Sequence, residues 1–243
     1  SRSLFPIIVV SLIVALVIFN RGFLVGTMNG MFRDTAVISS GHVKIMTRAY
    51  QEESQLMPND LALMNVGEIS EFLSSVYSDY FWSPRITFAG LLDLPDEHGD
   101  TKSQGPVMAY GVDFLSSNSR QFELWELEKR IVLGRMIKDP TDALVGHKLA
   151  DKLGLSLGDH VTYIGTTMNN AFTTFNFTVV GTFNLGMGPL DKQMMLVDIE
   201  GARMALDMDN AASEILGFMH DLYYNDDASI EIRNEFNTFH SDT

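Results

Sequence analysis

Leu4 to Phe19 reads LFPIIVVSLIVALVIF, an apolar run interrupted only by Pro6 and Ser11. A helix that is hydrophobic all round belongs in a protein core or in a membrane. Sixteen residues fall short of the roughly 20 that cross a hydrocarbon core about 30 Å thick. A signal peptide would place a small-residue cleavage site directly after the run, and Asn20-Arg21-Gly22-Phe23 offers none. Extending the helix to Phe32 gives about 43 Å at 1.5 Å per residue, enough to span the bilayer and rise beyond it.

In that extension Gly22, Gly26 and Gly30 fall on nearly one face. In lipid, small residues at this spacing let two helices approach closely and gain dispersion contacts. In water they would cost roughly 3 kcal/mol of helix propensity relative to alanine. The pattern therefore favours a packed helix face, the alternative being a span that ends at Phe19 with a flexible glycine linker after it. Arg21 is a candidate intramembrane or interfacial charge. A basic side chain near a helix end commonly snorkels to the interface, and that reading stands beside a functional one.

The rest of the chain differs in charge. Residues 1–50 hold five basic residues against one acidic (net +4), and residues 51–243 hold 12 basic against 30 acidic (net −18), for −14 overall. An acidic body repels phosphate backbones, which argues against nucleic acid as a partner. The absence of cysteine excludes disulfides, thiolate metal sites and cysteine nucleophiles. Sixteen phenylalanines, seven tyrosines and two tryptophans are enough to fill a core, so disorder is not expected.

Beyond a break at Ser40-Gly41, HVKIM (42–46) alternates as a strand does, and Val66 to Tyr77 has a helical period. Arg85 to Leu94 and Val107 to Val112 read as strands joined by a solvated loop, PDEHGDTKSQG (95–105). Residues 114–128 give no clear signal. After the turn at Asp139-Pro140 a short amphipathic helix carries Leu149 and Leu153 on its inner side and closes at Gly154, as a C-terminal cap would. Gly158-Asp159 turns into the strand HVTYIG; strands follow at 173–183 and 194–199, a short helix at 202–208, a strand at 213–222 and the opening of a helix at 229–237. Helices and strands alternate without a βαβ rhythm, and no repeat or low-complexity tract is present. The class expected is α+β.

No chemistry-bearing motif emerges. The chain has no Walker loop, no G-x-S-x-G elbow and no H-E-x-x-H. GMGPLDK (186–192) has the wrong spacing for a phosphate loop. Histidines 42, 98, 147, 160, 220 and 240 never pair at i,i+3 or i,i+4, so local metal ligation has no support. The chain is expected to be no enzyme and to carry no cofactor or metal. Of its 14 methionines, most would fill a core, and Met187, in a loop before Pro189, is the one expected at a surface where a substrate could touch it.

Two stretches carry a resemblance. TMNGMFRD (27–34), continuing through AVISSGHVKIM to Tyr50, resembles the end of the first transmembrane helix and the first ectodomain strand of FtsX-like ABC transporter permeases, nearest the lipoprotein-releasing (LolC/LolE-like) branch. Val132 to Gly165, then FTVVGTF and MMLVDIEGARMALDM, resemble the MacB-like periplasmic core domain of that family. The resemblance implies transmembrane helix 1 and a stalk over residues 1–38, then an extracytoplasmic core domain over 39–243. That domain would be a porter-like α/β lobe with a second lobe inserted near 118–212. It implies a fragment of a four-helix permease in a bacterial inner membrane, its main domain periplasmic. The partners implied are an ABC ATPase carrying ATP and Mg, a second permease subunit in a homo- or heterodimer, a lipoprotein or amphiphilic substrate, a periplasmic acceptor and membrane lipids. The glycine face would pack inside the permease dimer, and the helix would carry motion to the ectodomain. A ligand-binding ectodomain of a membrane-tethered receptor or sensor is the alternative.

Overall fold

The computed structural model describes residues 4–35, 38, 40–186, 188–219 and 232, which form two units, Ser1–Gly41 and His42–Thr243. The first is one helix, α1 (Leu4–Thr35), running unbroken through Gly22, Gly26 and Gly30. A helix ending at Phe19 with a linker beyond is therefore not what forms. At 32 residues it is about 48 Å long. Its segment Phe5–Thr27 has the length and apolarity to cross a membrane, and its side chains are exposed there. Gly41, at φ +60°, closes the first of the two units.

The second unit is organised by its sheet. In chain order it contains β1 (Val43–Ile45), α2 (Arg48–Glu52), β2 (Leu63–Met64), α3 (Val66–Val76), β3 (Tyr80–Pro95), β4 (Thr101–Val112), α4 (Gln121–Leu124), α5 (Leu127–Arg130) and β5 (Ile131–Gly134). There follow β6 (Asp142–Gly146), α6 (His147–Leu153), β7 (His160–Thr166), β8 (Phe172–Phe183), β9 (Met194–Asp198), α7 (Ile199–Leu206), β10 (Ala211–Ala212) and β11 (Glu214–Met219). The α+β class and the order of an apolar N-terminal helix before a mixed α/β domain are as the sequence indicates.

Six strands close on themselves. β3 pairs with β4, β4 with β9, β9 with β6, β6 with β8, β8 with β7, and β7 returns to β3 at Leu91–Asp93. The β4–β9 and β6–β8 contacts are parallel and the others antiparallel. Closure removes most sheet edges. β11 and then β1 extend from the first half of β3, and β5 extends from the end of β8. Strands before residue 118 pair with strands after it, β4 with β9 and β3 with β7.

The long hairpin β3–β4 differs from expectation. Its turn is only Asp96 to Asp100, and Thr101 to Gly105, read from composition as loop, belongs to β4 and pairs with Leu92–Pro95. Thr101, Lys102 and Gln104 sit on its exposed positions, which a strand tolerates on its solvent face. β3 also starts earlier than its apolar pattern, at Tyr80, with Pro84 inside it. The β4 ladder ends at Arg85, so the missing N–H of Pro84 lies beyond that ladder.

β6 went unread in the sequence. All five residues of DALVG are buried, so the segment shows no alternation to mark it as a strand. The following α6 has the features expected: Leu149 and Leu153 are buried, and Gly154, at φ +68°, donates its N–H to the carbonyls of Ala150 and Asp151. α7 begins at Ile199, earlier than the expected 202, because Asp198 caps it by accepting the Glu200 N–H at 3.0 Å. The helix expected over 229–237 lies outside the described residues except for Ile232, which is buried in the main core cluster.

Candidate functional site

The residues singled out in the sequence fall on α1 or outside the description. Arg21 is exposed on α1. A Cβ placed on Gly22 or Gly26 would meet nothing within 4 Å, so this face is open for a neighbour. Gly30 lies on the same helix, and Met187 is not among the described residues. The four described histidines do not converge. His42 accepts the Met219 N–H at Nδ1 (3.1 Å), His98 sits in the β3–β4 turn, His147 lies 3.3 Å from the Thr182 hydroxyl, and His160 lies 3.2 Å from that of Thr178. Among the described residues no three His, Asp or Glu side chains form a metal site.

The most organised polar assembly was missed by the sequence reading. It grows from the edge of β3, which is shared by two strands. β11 covers Tyr80–Arg85 and β7 covers Leu91–Asp93, leaving a gap between them. Side chains fill it. Ser213 Oγ accepts the Thr87 N–H at 2.9 Å, Asn59 Nδ2 donates to the Thr87 carbonyl at 3.2 Å, and Ser213 Oγ donates to Asn59 Oδ1 at 2.7 Å. Further along, the Tyr163 hydroxyl donates to the Ala89 carbonyl at 3.1 Å. A buried strand edge without such partners would leave costly unpaired backbone groups.

Beside this gap lies a charged group. Arg85, on β3, donates from Nε to Glu214 Oε1 at 2.7 Å and contacts the same oxygen from Nη2 at 2.5 Å. Lys44 Nζ, on β1, reaches Glu214 Oε2 at 2.8 Å. The Arg85 guanidinium sits 5.5 Å from the centre of the Tyr110 ring, within cation–π range. Tyr50, positioned by the Thr47 side chain accepting its N–H at the start of α2, shares a 2.7 Å hydrogen bond with Thr87. Burial pushes the phenols of Tyr50 and Tyr110 above their ordinary value. One sequence signal was available: a charge inside an otherwise apolar strand needs a buried partner, and both SPRITF (83–88) and SEILGF (213–218) contain one.

A cleft of about 220 Å³ opens over the gap, lined by Leu56, Asn59, Asp60, Phe88, Tyr163 and Asn170 among others. Sites for drug-sized ligands occupy about 300–1,000 Å³. This cleft is too small for an amphiphile, and nothing around it forms a nucleophile–base pair. Tyr163 at its floor is buried, and burial pushes its phenol up to about 12 from 10.0. The folded state therefore holds this proton more tightly than the unfolded chain. Its contribution to stability is full below about pH 10 and is lost between about pH 10 and 12. Tyr163→Phe is expected to flatten the decline of the urea midpoint in that window, at a neutral-pH cost of about 1 kcal/mol for the lost hydrogen bond. An unchanged alkaline profile would exclude Tyr163 as its source.

The arrangement thus contains no catalytic constellation among the described residues; it contains a spanning-length helix with an open small-residue face and a domain of closed sheet. No family model and no curated protein matches the sequence. Solved structures do match in fold. The periplasmic region of MacB from Actinobacillus actinomycetemcomitans is similar over 82% of this chain and 83% of its own, with a TM-score of 0.53 at 12% identity. The extracellular domain of the noncanonic ABC-type transporter YknZ from Gram-positive bacteria is similar over 79% of this chain and 86% of its own, with a TM-score of 0.49 at 14% identity. The domain after α1 shares its fold with the MacB periplasmic region.

Proposed function

We propose that the chain is the membrane-anchored part of an ABC transporter permease subunit. The observation that carries this reading is the pairing of a MacB-like domain fold with a helix of membrane-spanning length directly before it in sequence. On this reading α1 is transmembrane helix 1 with its stalk over residues 1–38. Residues 39–243 form the core domain on the outer side of a bacterial inner membrane, with a second lobe over about 118–212.

ATP and Mg are bound and used by a separate ATPase chain, and a second permease subunit completes the membrane part. The substrate is a lipoprotein or another amphiphile, extracted or exported at the outer face, as the LolC/LolE-like resemblance suggests. An acceptor protein outside the membrane would receive it. The cleft over the β3 edge is too small to enclose such a substrate, and Met187 is proposed as one residue that touches it. Arg21 lies at the interface or faces a helix of the complex.

Gly22, Gly26 and Gly30 form the packing face of α1. Gly26→Leu in the full-length protein tests this: insertion and protease resistance of the ectodomain should be retained, while substrate movement falls by at least about tenfold as close helix approach is lost. Transport at the wild-type level would remove the packing role.

A further inference from the structure

The cleft over the β3 edge, at about 220 Å³, is too small for a drug-sized ligand and roomy enough for one long side chain. Its lining comes from segments far apart in sequence, residues 56–60 before β2 and the end of the β7–β8 hairpin among them. Asp60 and Asn170 join these two, Asn170 Nδ2 donating to Asp60 Oδ2 at 3.3 Å. Asp60 is the only charged residue of the lining, and its other oxygen has no partner among the described residues.

Two hydroxyl groups of the same lining have capacity left. Tyr163 gives its proton to the Ala89 carbonyl at 3.1 Å, so its oxygen can still accept an N–H. Thr167, 7% exposed, accepts the N–H groups of Asn169 and Ala171 at Oγ1, both at 3.3 Å. Its own proton goes to no described residue and can be given to a ligand. Leu56, Met57 and Pro58 add an apolar side to the cleft.

These groups suit a cation on an aliphatic stem. The carboxylate and the Tyr163 oxygen accept hydrogen bonds, and the apolar side suits the methylene stem that basic residues bury while the charged head stays polar. Long-range charge acts the same way, since residues 51–243 carry −18 and draw cations towards the domain. Arginine fits better than lysine, because its planar fork of N–H donors reaches acceptors that stand apart. A free arginine brings its own carboxylate, which an acidic domain repels. An arginine within a polypeptide brings a neutral carbonyl instead, and the Thr167 proton can be given to it.

We propose that this cleft receives an arginine side chain of a partner polypeptide, with Asp60 as its counter-ion. The assignment concerns the domain alone and stands whether or not the chain serves a transporter.

The absence of cysteine makes the test direct. Leu56→Cys, at a position 77% exposed beside the cleft, is made in the full chain in detergent, and modification of its thiol by N-ethylmaleimide is timed. N-acetylarginine amide, at matched ionic strength, should slow the reaction at least about threefold, with a half-effect at about 1–10 mM, as a single charge-assisted contact would give. N-acetylcitrulline amide, neutral and of nearly equal shape, should leave the rate unchanged. Leu133→Cys, on exposed β5, should show no protection by either compound. Adding Asp60→Asn, also at an exposed position, should abolish the protection at position 56, and Asp60→Glu should keep most of it. No slowing at about 100 mM, equal slowing by the citrulline compound, or slowing that survives Asp60→Asn would overturn the site. Protection by free arginine but not by the blocked form would overturn the polypeptide occupant.

Discussion

Gly201→Ala is expected to destabilise the ectodomain by roughly 3 kcal/mol, the upper part of the range for overpacking a close contact. The reason is geometric. A Cβ on Gly201 would stand 1.9 Å from the Pro140 carbonyl oxygen and 3.0 Å from its carbon, with the Phe177 ring at 3.3 Å behind. The obstacle is main chain, which cannot swing aside as a flexible side chain would. The 138–142 turn is also pinned. The Asp142 carboxylate accepts the N–H groups of Lys138 (2.8 Å) and Asp139 (3.1 Å) and pairs with Arg135 at 2.6 Å, and the Asp142 N–H donates to the Asp139 carbonyl. α7 must then move away from this turn and from β8, or the turn must give up these bonds. A urea titration of the variant should show a lowered midpoint, and a midpoint equal to wild type would mean that α7 does not rest against this turn.

Phe177→Ala is expected to cost more, about 3–5 kcal/mol. Phe177 is fully buried on β8, where the strand passes from pairing with β7 to pairing with β6. Its ring lies 4.9 Å from that of Phe175 and against the Gly201 face of α7. Truncation opens a cavity among elements held by backbone ladders on both sides, which limits collapse into the space. Phe175, only partly buried, is the internal control, and Phe175→Ala should cost distinctly less. Equal midpoints for the two alanine variants would contradict the placement of Phe177 inside the circuit.

The parts of the fold that were legible in the sequence are those whose signal is local. The apolar run of α1, the 3.6-residue period of Val66 to Val76, Gly154 as a cap, and the alternating β7 and β8 each announce themselves within a dozen residues. β6 did not, because a strand buried on every side has no alternation to display. The closure of the sheet did not either. It depends on Leu92 meeting Tyr163 and on Ala143 meeting Val197, pairings that no local pattern encodes. The Arg85–Glu214 pair spans 129 residues, so its two halves were visible as charges within apolar strands while their meeting was not. On the membrane side the glycine spacing was legible and its helical continuity holds.

The most direct measurement is recovery of the full-length protein from membranes in mild detergent after crosslinking in the cell, followed by identification of what accompanies it. The permease reading predicts an ATP-binding subunit in stoichiometric amount. A clean preparation without one would contradict that reading and favour a membrane-tethered receptor built on the same fold.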